Sequence, residues 1–297
     1  MLVRFADIEM GRGSGPQGPI GCSDFDPSYP EVRSSDNPLE ARDGVLPGRD
    51  YFGSRRVSFD IWTNRKTMAE ARETLGAVLE AWRDEKVRLE AGVLVPLDFR
   101  GSTDPTWRRV YGRPRRADDP SFGMRMRQGR AESTLEFEVF DPLVYEAEEE
   151  SAEIRVVESG SISDSWVPPW EWPVVPGAGV SERRAGALQV SGKVATPPRI
   201  EFHGPGRRFS LDGSRGWHVG LRDSVELAYD EVITIDPRTR TVTDNFGRER
   251  SAALDRRSHP ADIKLPPGLE NVFFSADDPT HRARAVVSWR PAYSSFA

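Results

Sequence analysis

The segment Glu231-Val-Ile-Thr-Ile-Asp-Pro-Arg-Thr-Arg-Thr-Val-Thr243 determines the fold class of the carboxy-terminal half of this chain. It predicts a strand, a turn and a second strand, because proline after Asp236 fixes φ at the second position of a type I turn and the Asp side chain caps the first. Residues Arg282–Arg290 place Ala283, Ala285, Val287 and Trp289 on one face, which is typical of a half-buried antiparallel strand. Between the two, Leu265-Pro-Pro-Gly268 with Asn271 predicts a loop before an edge strand. The whole stretch from Arg199 to Arg290 is therefore predicted to be all-β, and no catalytic motif lies inside it.

The amino-terminal half combines strands with one helix. Residues 57–62 alternate with period two and predict a strand. Thr67 and Glu70 form a capping-box pattern, in which the hydroxyl and the carboxylate accept hydrogen bonds from amides at a helix start. Apolar residues then recur at three- and four-residue spacing, which predicts an amphipathic helix that fades near Arg88, with Trp82 in the core. The stripe comprises Met68, Ala71, Leu75, Val78, Leu79 and Trp82.

Three further strands are predicted, at residues 93–99, 107–112 and 133–140. Pro142 ends the last of them, because proline cannot donate to a strand ladder. The segment Glu146–Glu153 then holds five glutamates in eight residues, and like charges at this density disfavour a core, so we place the domain boundary there. The predicted organisation is an α+β domain over residues 1–150, with β-sandwich-like strands and one amphipathic helix, followed by an all-β domain over residues 151–297.

Composition excludes several classes of protein. Of the 297 residues, 37% are hydrophobic and 30% are charged, with 24 prolines and 26 glycines, which is typical of a soluble protein rich in turns. No apolar run approaches the ~20 residues that a membrane span needs. The first residues lack the basic start and apolar core of a signal peptide. We therefore expect a protein that stays where it is made, or leaves by lysis or within a larger particle.

Charge and cysteine content narrow the choice further. Cys22 is the one cysteine, which excludes a disulfide framework and a multi-cysteine metal site, and we interpret it as an ordinary loop thiol. A net charge of −6 argues against nucleic-acid binding. The arginine clusters are interpreted as solvated loop charge, and they are Arg108-Arg109, Arg113–Arg116, Arg207-Arg208 and Arg256-Arg257.

Candidate chemical motifs are few. Gly11–Gly18 is rich in glycine but lacks the Lys-Ser/Thr ending of a phosphate-binding loop, so we interpret it as a loop. Trp166-Val-Pro-Pro-Trp-Glu-Trp172 has two interpretations: buried anchors of a linker, which the usual burial of tryptophan favours, or exposed rings that stack on sugars, with Glu171 accepting hydroxyl hydrogen bonds. Adjacent exposed glutamates within Glu146–Glu153 seldom provide the buried carboxylate that acid catalysis needs.

The histidines do not form a recognisable site. They are His203, His218, His259 and His281. None lies at a metal-ligand spacing, and no nucleophile elbow accompanies them. The sequence leaves open whether residues far apart in the chain come together in a catalytic triad. No catalytic residue, metal or cofactor is predicted.

Several segments, in their order and spacing, resemble the distal tail proteins of long-tailed bacteriophages, of the kind found as minor tail proteins in phages of actinobacteria. In the carboxy-terminal half these are Trp170-Glu-Trp-Pro173, Pro198–Gly204, Val232–Asp236, Leu265-Pro-Pro-Gly268 with Asn271, and Ala285–Tyr293. In the amino-terminal half they are Gly53–Phe59, the capped helix up to Trp82, and Phe137–Pro142. The similarity extends from about Gly48 onward.

That resemblance implies a structural virion protein of the tail tip, made in the host cytoplasm. Distal tail proteins form a homo-hexameric ring that joins the tail tube protein to the tail-tip or baseplate hub protein, around the passage for the tape measure protein and DNA. Their amino-terminal domain builds the ring, and their carboxy-terminal domain is a galectin-like β-sandwich. The family has no universal catalytic residues, so none is carried over. We expect the capped helix and adjacent strands to supply one side of the ring contact.

Two alternatives come from other functional classes. The first is a carbohydrate-binding module of the tail tip that contacts host cell-wall glycan through Trp166, Trp170, Trp172 or Trp217. The second is a wall hydrolase, which would need a buried carboxylate pair or a metal cluster, and the sequence shows neither.

Overall fold

A computed structural model describes residues 1–11, 20–121, 123–155 and 184–296. The chain divides into two compact units. Unit 1 comprises Met1–Glu148 together with the residues from Tyr293 onward, and unit 2 comprises Glu149–Ala292. The domain limits predicted from the sequence assigned the last residues to the second domain, whereas in the structure they pack within unit 1.

Unit 1 is built on one antiparallel sheet. Its elements in chain order are β1 (Leu2–Phe5), β2 (Ile8–Met10), β3 (Gly21–Asp26), β4 (Val32–Ser34), β5 (Asn37–Pro38), β6 (Val45–Leu46), β7 (Asp50–Phe52), β8 (Arg55–Asn64), α1 (Met68–Trp82), α2 (Glu85–Leu89), β9 (Val95–Arg100), β10 (Arg108–Ala117), α3 (Met124–Arg127), β11 (Arg130–Val139) and β12 (Val144–Glu146). The sheet runs in the order β2-β1-β9-β10-β11-β8-β3, with β12 beside β10. The strands expected to be sandwich-like are thus hydrogen-bonded into a single sheet.

Helix α1 begins where the capping box predicts. The Thr67 hydroxyl accepts a hydrogen bond from the Glu70 amide at 3.2 Å, and the Glu70 carboxylate accepts one from the Lys66 amide at 3.3 Å. The predicted stripe is buried from Ala71 to Trp82. The helix ends at Trp82 rather than near Arg88, because the Asp84 carboxylate accepts a hydrogen bond from the Lys86 amide at 2.8 Å and so starts the separate helix α2.

Trp82 joins the helix to the sheet, as predicted. Its ring centroid lies 4.7 Å from that of Phe5 and 5.8 Å from those of Phe59 and Phe137. The indole Nε1 donates a hydrogen bond to the Arg116 carbonyl at 3.1 Å. A large apolar ring with its one polar atom satisfied is a stable core residue.

The last described residues complete the packing of unit 1. The short strand β23 (Ala292–Tyr293) pairs with β12, and the Tyr293 hydroxyl donates to the Glu146 carboxylate at 2.6 Å. Phe296 stacks on Phe99, with ring centroids 4.8 Å apart. The Arg55 guanidinium lies 4.2 Å from the Phe296 ring centroid, so this segment is held by both apolar and cation–π contacts.

Unit 2 consists of two five-stranded sheets. Its strands are β13 (Glu150–Arg155), β14 (Arg184–Val190), β15 (Arg199–His203), β16 (Gly206–Gly213), β17 (His218–Gly220), β18 (Glu226–Leu227), β19 (Val232–Asp236), β20 (Thr241–Asp244), β21 (Gly268–Asp277) and β22 (Arg284–Trp289), with 3₁₀ turns at Ser251–Ala253 and Pro260–Asp262. One sheet has the order β13-β22-β15-β19-β20, and the other has β14-β21-β16-β17 with β18 beside β16. Phe202 of the first sheet packs against Phe209 and Phe274 of the second at 5.7 and 6.2 Å between ring centroids. The two inner faces therefore share one apolar core, as in a β-sandwich.

The hairpin that indicated the fold class is present. The Asp236 carboxylate accepts hydrogen bonds from the Arg238 and Thr239 amides at 2.9 and 3.2 Å, and Ile235 pairs with Val242 across it. Strand β22 is buried on the predicted face. The turn chemistry and the alternation in the sequence are both confirmed.

Two sequence interpretations need correction. Strand β21 is not an edge, because β14 pairs with it on one side and β16 on the other. The acidic segment, where the boundary was predicted, contains the point between Glu148 and Glu149 at which unit 1 gives way to unit 2, and Arg290 and Arg284 offset Glu149 and Glu153 at 3.6 and 3.8 Å. The arginines from 108 to 116 lie in strand β10, and Arg207-Arg208 lie in strand β16, rather than in loops. Among these, the Arg109 guanidinium donates twice to the Asp98 carboxylate, at 2.6 and 2.9 Å.

Candidate interaction surfaces

A long β-ribbon connects strands β3 and β8, and we call its residues Glu31–Phe52 the arm. Strand β4 pairs with β7, and farther out β5 pairs with β6. Between these two pairs, the Gly48 amide donates to the Asp36 carboxylate at 2.6 Å, and the Ser35 hydroxyl donates to the Arg49 carbonyl at 3.0 Å. Within the described ranges, these four strands pair with no strand outside the arm.

The arm carries apolar side chains that the described residues of unit 1 leave exposed. Every residue from Glu31 to Phe52 is exposed. The large apolar residues among them are Val32, Leu39, Val45, Leu46, Tyr51 and Phe52. A two-stranded ribbon by itself is marginally stable in water, and clustered exposed apolar residues mark protein–protein interaction sites. The arm is therefore the strongest candidate interface of unit 1.

The sheet beside the arm has an open edge. Strand β3 pairs with β8 on one side, and no other described strand pairs with it. Such an edge presents unpaired amides and carbonyls to which another chain can add a strand. An arm and an open edge on the same unit are two different surfaces, as a head-to-tail contact between identical copies requires.

The outer face of α1 is polar. Glu73 and Glu80 are exposed, and Arg83 donates to the Asp119 carboxylate at 2.9 Å and to the Ala117 carbonyl at 3.0 Å. The participation of this helix in a ring contact stays a prediction.

Unit 2 brings together one cluster that resembles a catalytic site. His218 Nδ1 lies 2.6 Å from the Asp212 carboxylate, and Nε2 lies 2.9 Å from the Asp255 carboxylate. The Ser258 hydroxyl donates to Asp255 at 2.5 Å and accepts from the Gly220 amide at 2.7 Å. Asp212 and His218 are directly opposite across the β16–β17 hairpin. A hairpin predicted from the sequence would therefore have brought these two residues together, whereas Asp255 and Ser258 come from a distant loop.

The hydrogen-bond pattern of this cluster makes it structural. A Ser-His-Asp site needs an imidazole nitrogen directed at the serine hydroxyl, whereas here both nitrogens face carboxylates and the serine bonds Asp255. Burial acts to raise the pKa of Asp255, but hydrogen bonds from Ser258 and His218 lower it below its usual value. The ionised carboxylate thus ties strand β17 to the 255–258 loop.

The remaining expectations concern the cysteine, metal binding and membrane-spanning helices. Cys22 lies in strand β3 rather than in a loop. It is half-buried and reduced, and burial raises the pKa of its thiol to about 11, so it is a weak nucleophile. Over the described residues, no group of three His, Cys, Asp or Glu side chains is placed to hold a metal ion. Nor does any helix in those ranges have the length and apolarity to cross a membrane.

Of the four tryptophans considered for sugar stacking, the structure describes Trp217. Trp217 is buried in the core of unit 2, so its ring is not available to stack on a sugar. Trp166, Trp170, Trp172 and Glu171 lie outside the described residues, as does most of the glycine-rich segment at 11–18.

Comparison with solved structures identifies the architecture. The chain aligns with the crystal structure of the Dit protein of SPP1, a paradigm of the hub adsorption apparatus in phages that infect Gram-positive bacteria, with a TM-score of 0.59, 14% identity and 98% of both chains covered. The chain has the fold of a phage Dit protein. The sequence motifs indicated a resemblance to distal tail (Dit) proteins, and the fold confirms that resemblance.

Two further structures support the Dit fold. These are the baseplate of phage P2 in its activated conformation with Ca and with Sr, at TM-scores of 0.51 and 0.50, 10% identity, and 91% of this chain and 90% of the other covered. No family model matches the chain, and no curated protein does. Since the identities are low, the likeness concerns the fold.

Proposed function

We propose that this chain is a structural virion protein, a distal tail protein that forms a hexameric ring between the tail tube and the tail tip or baseplate. The single observation that carries the proposal is the Dit fold over 98% of the chain. The motif resemblance in the sequence adds the expected partners, which are the tail tube protein, the tape measure protein and the hub protein. In this proposal unit 2 is the galectin-like sandwich, and the protein acts through surfaces rather than by catalysis.

The arm supplies the physical means of ring formation. We propose that the arm of one copy packs against the neighbouring copy beside its β3 edge. Covering the arm's apolar side chains in this way would stabilise the ring by about 25 cal/mol for each Å² removed from water. Because the two surfaces differ, the contact is heterologous, and a rotation of one sixth of a turn per copy would close six copies into a ring.

The oligomeric state of the full chain tests the proposal. Mass photometry and negative-stain imaging of the purified protein, alone and with its tail tube protein, are expected to show six-fold rings. Leu46→Asp should shift the population toward monomer, since it places a carboxylate in the apolar contact. Leu269→Asp is a matched control, because Leu46 is 59% exposed and Leu269 in unit 2 is 58% exposed.

Each result has a defined meaning. A monomer at high concentration that stays monomeric with the tail tube protein would overturn the ring. Rings that survive Leu46→Asp unchanged would retain the ring but remove the arm from its contact. Equal disruption by both variants would also count against the arm, because the effect would then reflect added charge alone.

A further inference from the structure

We infer that a basic recess on unit 2 binds an anionic glycan, a saccharide that carries phosphate or carboxylate groups. The recess has a volume of about 350 Å³ and is lined by the side chains of Arg155, His203, His281, Arg282 and Arg284, together with Tyr229. Among the described residues that line it, none is acidic. On a chain with a net charge of −6, this is a local concentration of positive charge.

The nearby carboxylates offset part of this positive charge but do not reach Arg282. Glu153 pairs with Arg155, and its other oxygen lies 3.8 Å from Arg284 Nε, which is too long for a hydrogen bond. Glu201 lies 3.3 Å from His203. In the part of the chain that the structure describes, Arg282 has no carboxylate within ion-pair distance, and its guanidinium lies 5.4 Å from the Tyr229 ring centroid. An exposed guanidinium so placed has its donors available for an anion.

Two nitrogens in the lining lack hydrogen-bond partners. Over the described ranges, neither His281 Nδ1 nor Arg284 Nε makes a hydrogen bond, although both are buried. Arg284 Nε is a donor, and His281 Nδ1 is a donor when it carries the proton. An unpaired buried donor destabilises a protein relative to the paired state. An acceptor oxygen brought into the recess by a ligand would supply the missing partner.

The recess is preorganised by its supporting loop. The buried Asp278 carboxylate accepts hydrogen bonds from the Thr280 hydroxyl at 2.7 Å and from the amides of Thr280, Arg282 and Ala283 at 2.8, 2.5 and 2.7 Å. These bonds fix the backbone on both sides of Arg282. A rigid loop loses less conformational entropy when it binds a ligand.

Charge and shape together select the ligand class. The planar guanidinium of arginine presents a fork of donors that matches carboxylate and phosphate oxygens. Tyr229 is exposed and offers an apolar ring face beside that fork, which suits the C–H face of a sugar ring. The volume is at the lower end of the range for small-ligand pockets, and it fits one substituted sugar unit of a polymer. The described lining of the recess contains no residue of the arm, and glycan binding does not depend on ring formation.

The test uses one polysaccharide backbone with different substituents. The full-length protein is titrated by calorimetry with phosphorylated dextran, carboxymethyl dextran, plain dextran and poly-glutamate at low salt. We expect binding to one or both anionic dextrans, weaker binding as salt rises, and no binding to plain dextran. A preference for phosphorylated dextran or for carboxymethyl dextran shows whether the recess binds phosphate or carboxylate groups.

Variants assign the binding to the recess. Arg282→Gln should weaken binding roughly tenfold, since a hydrogen bond to a charged group contributes about that factor. Tyr229→Ala should weaken binding about fivefold, because it removes the ring face against which the sugar packs. Arg256→Gln is the matched control, because Arg256 is an exposed arginine of unit 2 outside the recess. Circular dichroism checks that each variant is folded.

Three outcomes overturn the inference. They are an absence of binding to both anionic dextrans, an equal loss in the Arg256 and Arg282 variants, and binding to plain dextran as tight as to the charged forms. Poly-glutamate binding that exceeds dextran binding and is lost in both recess variants would assign the recess to an acidic protein segment instead.

Discussion

Phe296 stacks on Phe99 with ring centroids 4.8 Å apart and an interplanar angle of 22°. Phe99 belongs to strand β9 in the sheet of unit 1, whereas Phe296 follows the whole of unit 2 in the chain. The segment that follows unit 2 thus contributes to the core of unit 1, which precedes unit 2 in the chain.

Phe296→Ala is expected to destabilise unit 1. Fully buried Phe→Ala changes cost about 3–5 kcal/mol, and Phe296 is half-buried, so we expect about 2 kcal/mol. Hydrogen exchange should accelerate in β9 and leave β21 unchanged. The neighbouring exposed Ser295→Ala is the control, and equal acceleration in β21 would contradict a local role.

Thr67→Ala should loosen the start of α1. The hydroxyl of Thr67 accepts the Glu70 amide, and loss of such a cap costs about 1 kcal/mol. Exchange at the Glu70 amide is the direct measurement. Thr67→Ser keeps the hydroxyl and should behave like the wild type, so a serine variant as labile as the alanine variant would rule out capping.

Asp278 should make unit 2 sensitive to acid. Burial acts to raise the pKa of this carboxyl, but its hydrogen bonds from Thr280, Ala283 and Arg282 lower it below its usual value. A depressed folded-state pKa gives stabilisation that is complete above the unfolded pKa of about 4 and is lost as pH falls through the folded pKa.

The variant Asp278→Asn isolates that contribution. At pH 7 it should lower the free energy of unfolding by about 2 kcal/mol, because the side chain loses its charge and an amide NH2 group replaces one of the two oxygens that accept hydrogen bonds. The difference from wild type should shrink below about pH 4, as followed by urea denaturation. Asp223→Asn, at an exposed position of unit 2, should show no such effect, and a difference independent of pH would refute the role of ionisation.

Cys22 should alkylate slowly. Burial raises the pKa of its thiol from 9.0 to about 11, so the reactive thiolate fraction near pH 8 falls roughly a hundredfold. Mass spectrometry after iodoacetamide treatment measures the rate, with urea-unfolded protein as the reference. Comparable rates in the folded and unfolded protein would show that burial does not protect the thiol.

Local sequence patterns predicted the elements that depend on residues close together in the chain. The stripe from Ala71 to Trp82 and the turn at Asp236 each depend on residues a few positions apart. The central position of β21 was not predictable in this way, because its partner Arg184–Val190 lies far away in the chain and has a weak strand pattern. Pairing over such separations depends on the whole core.

The candidate sites were harder to predict. The arm has exposed strands without a buried face, so no hydrophobic periodicity marks it. The basic recess draws Arg155, His203 and Arg282 from separate strands and loops, and only the folded backbone brings them together. The sequence did indicate the resemblance to distal tail proteins, because that signal lies in the order of many short segments.

The chain leaves unit 1 after Glu148 and re-enters it at Tyr293, where β12 and β23 are neighbouring strands. Unit 2 is therefore an insertion between two neighbouring strands of unit 1. A short turn that joined β12 to β23 would keep the sheet of unit 1 continuous, so we expect that unit 2 can be deleted or replaced by another domain without changing unit 1.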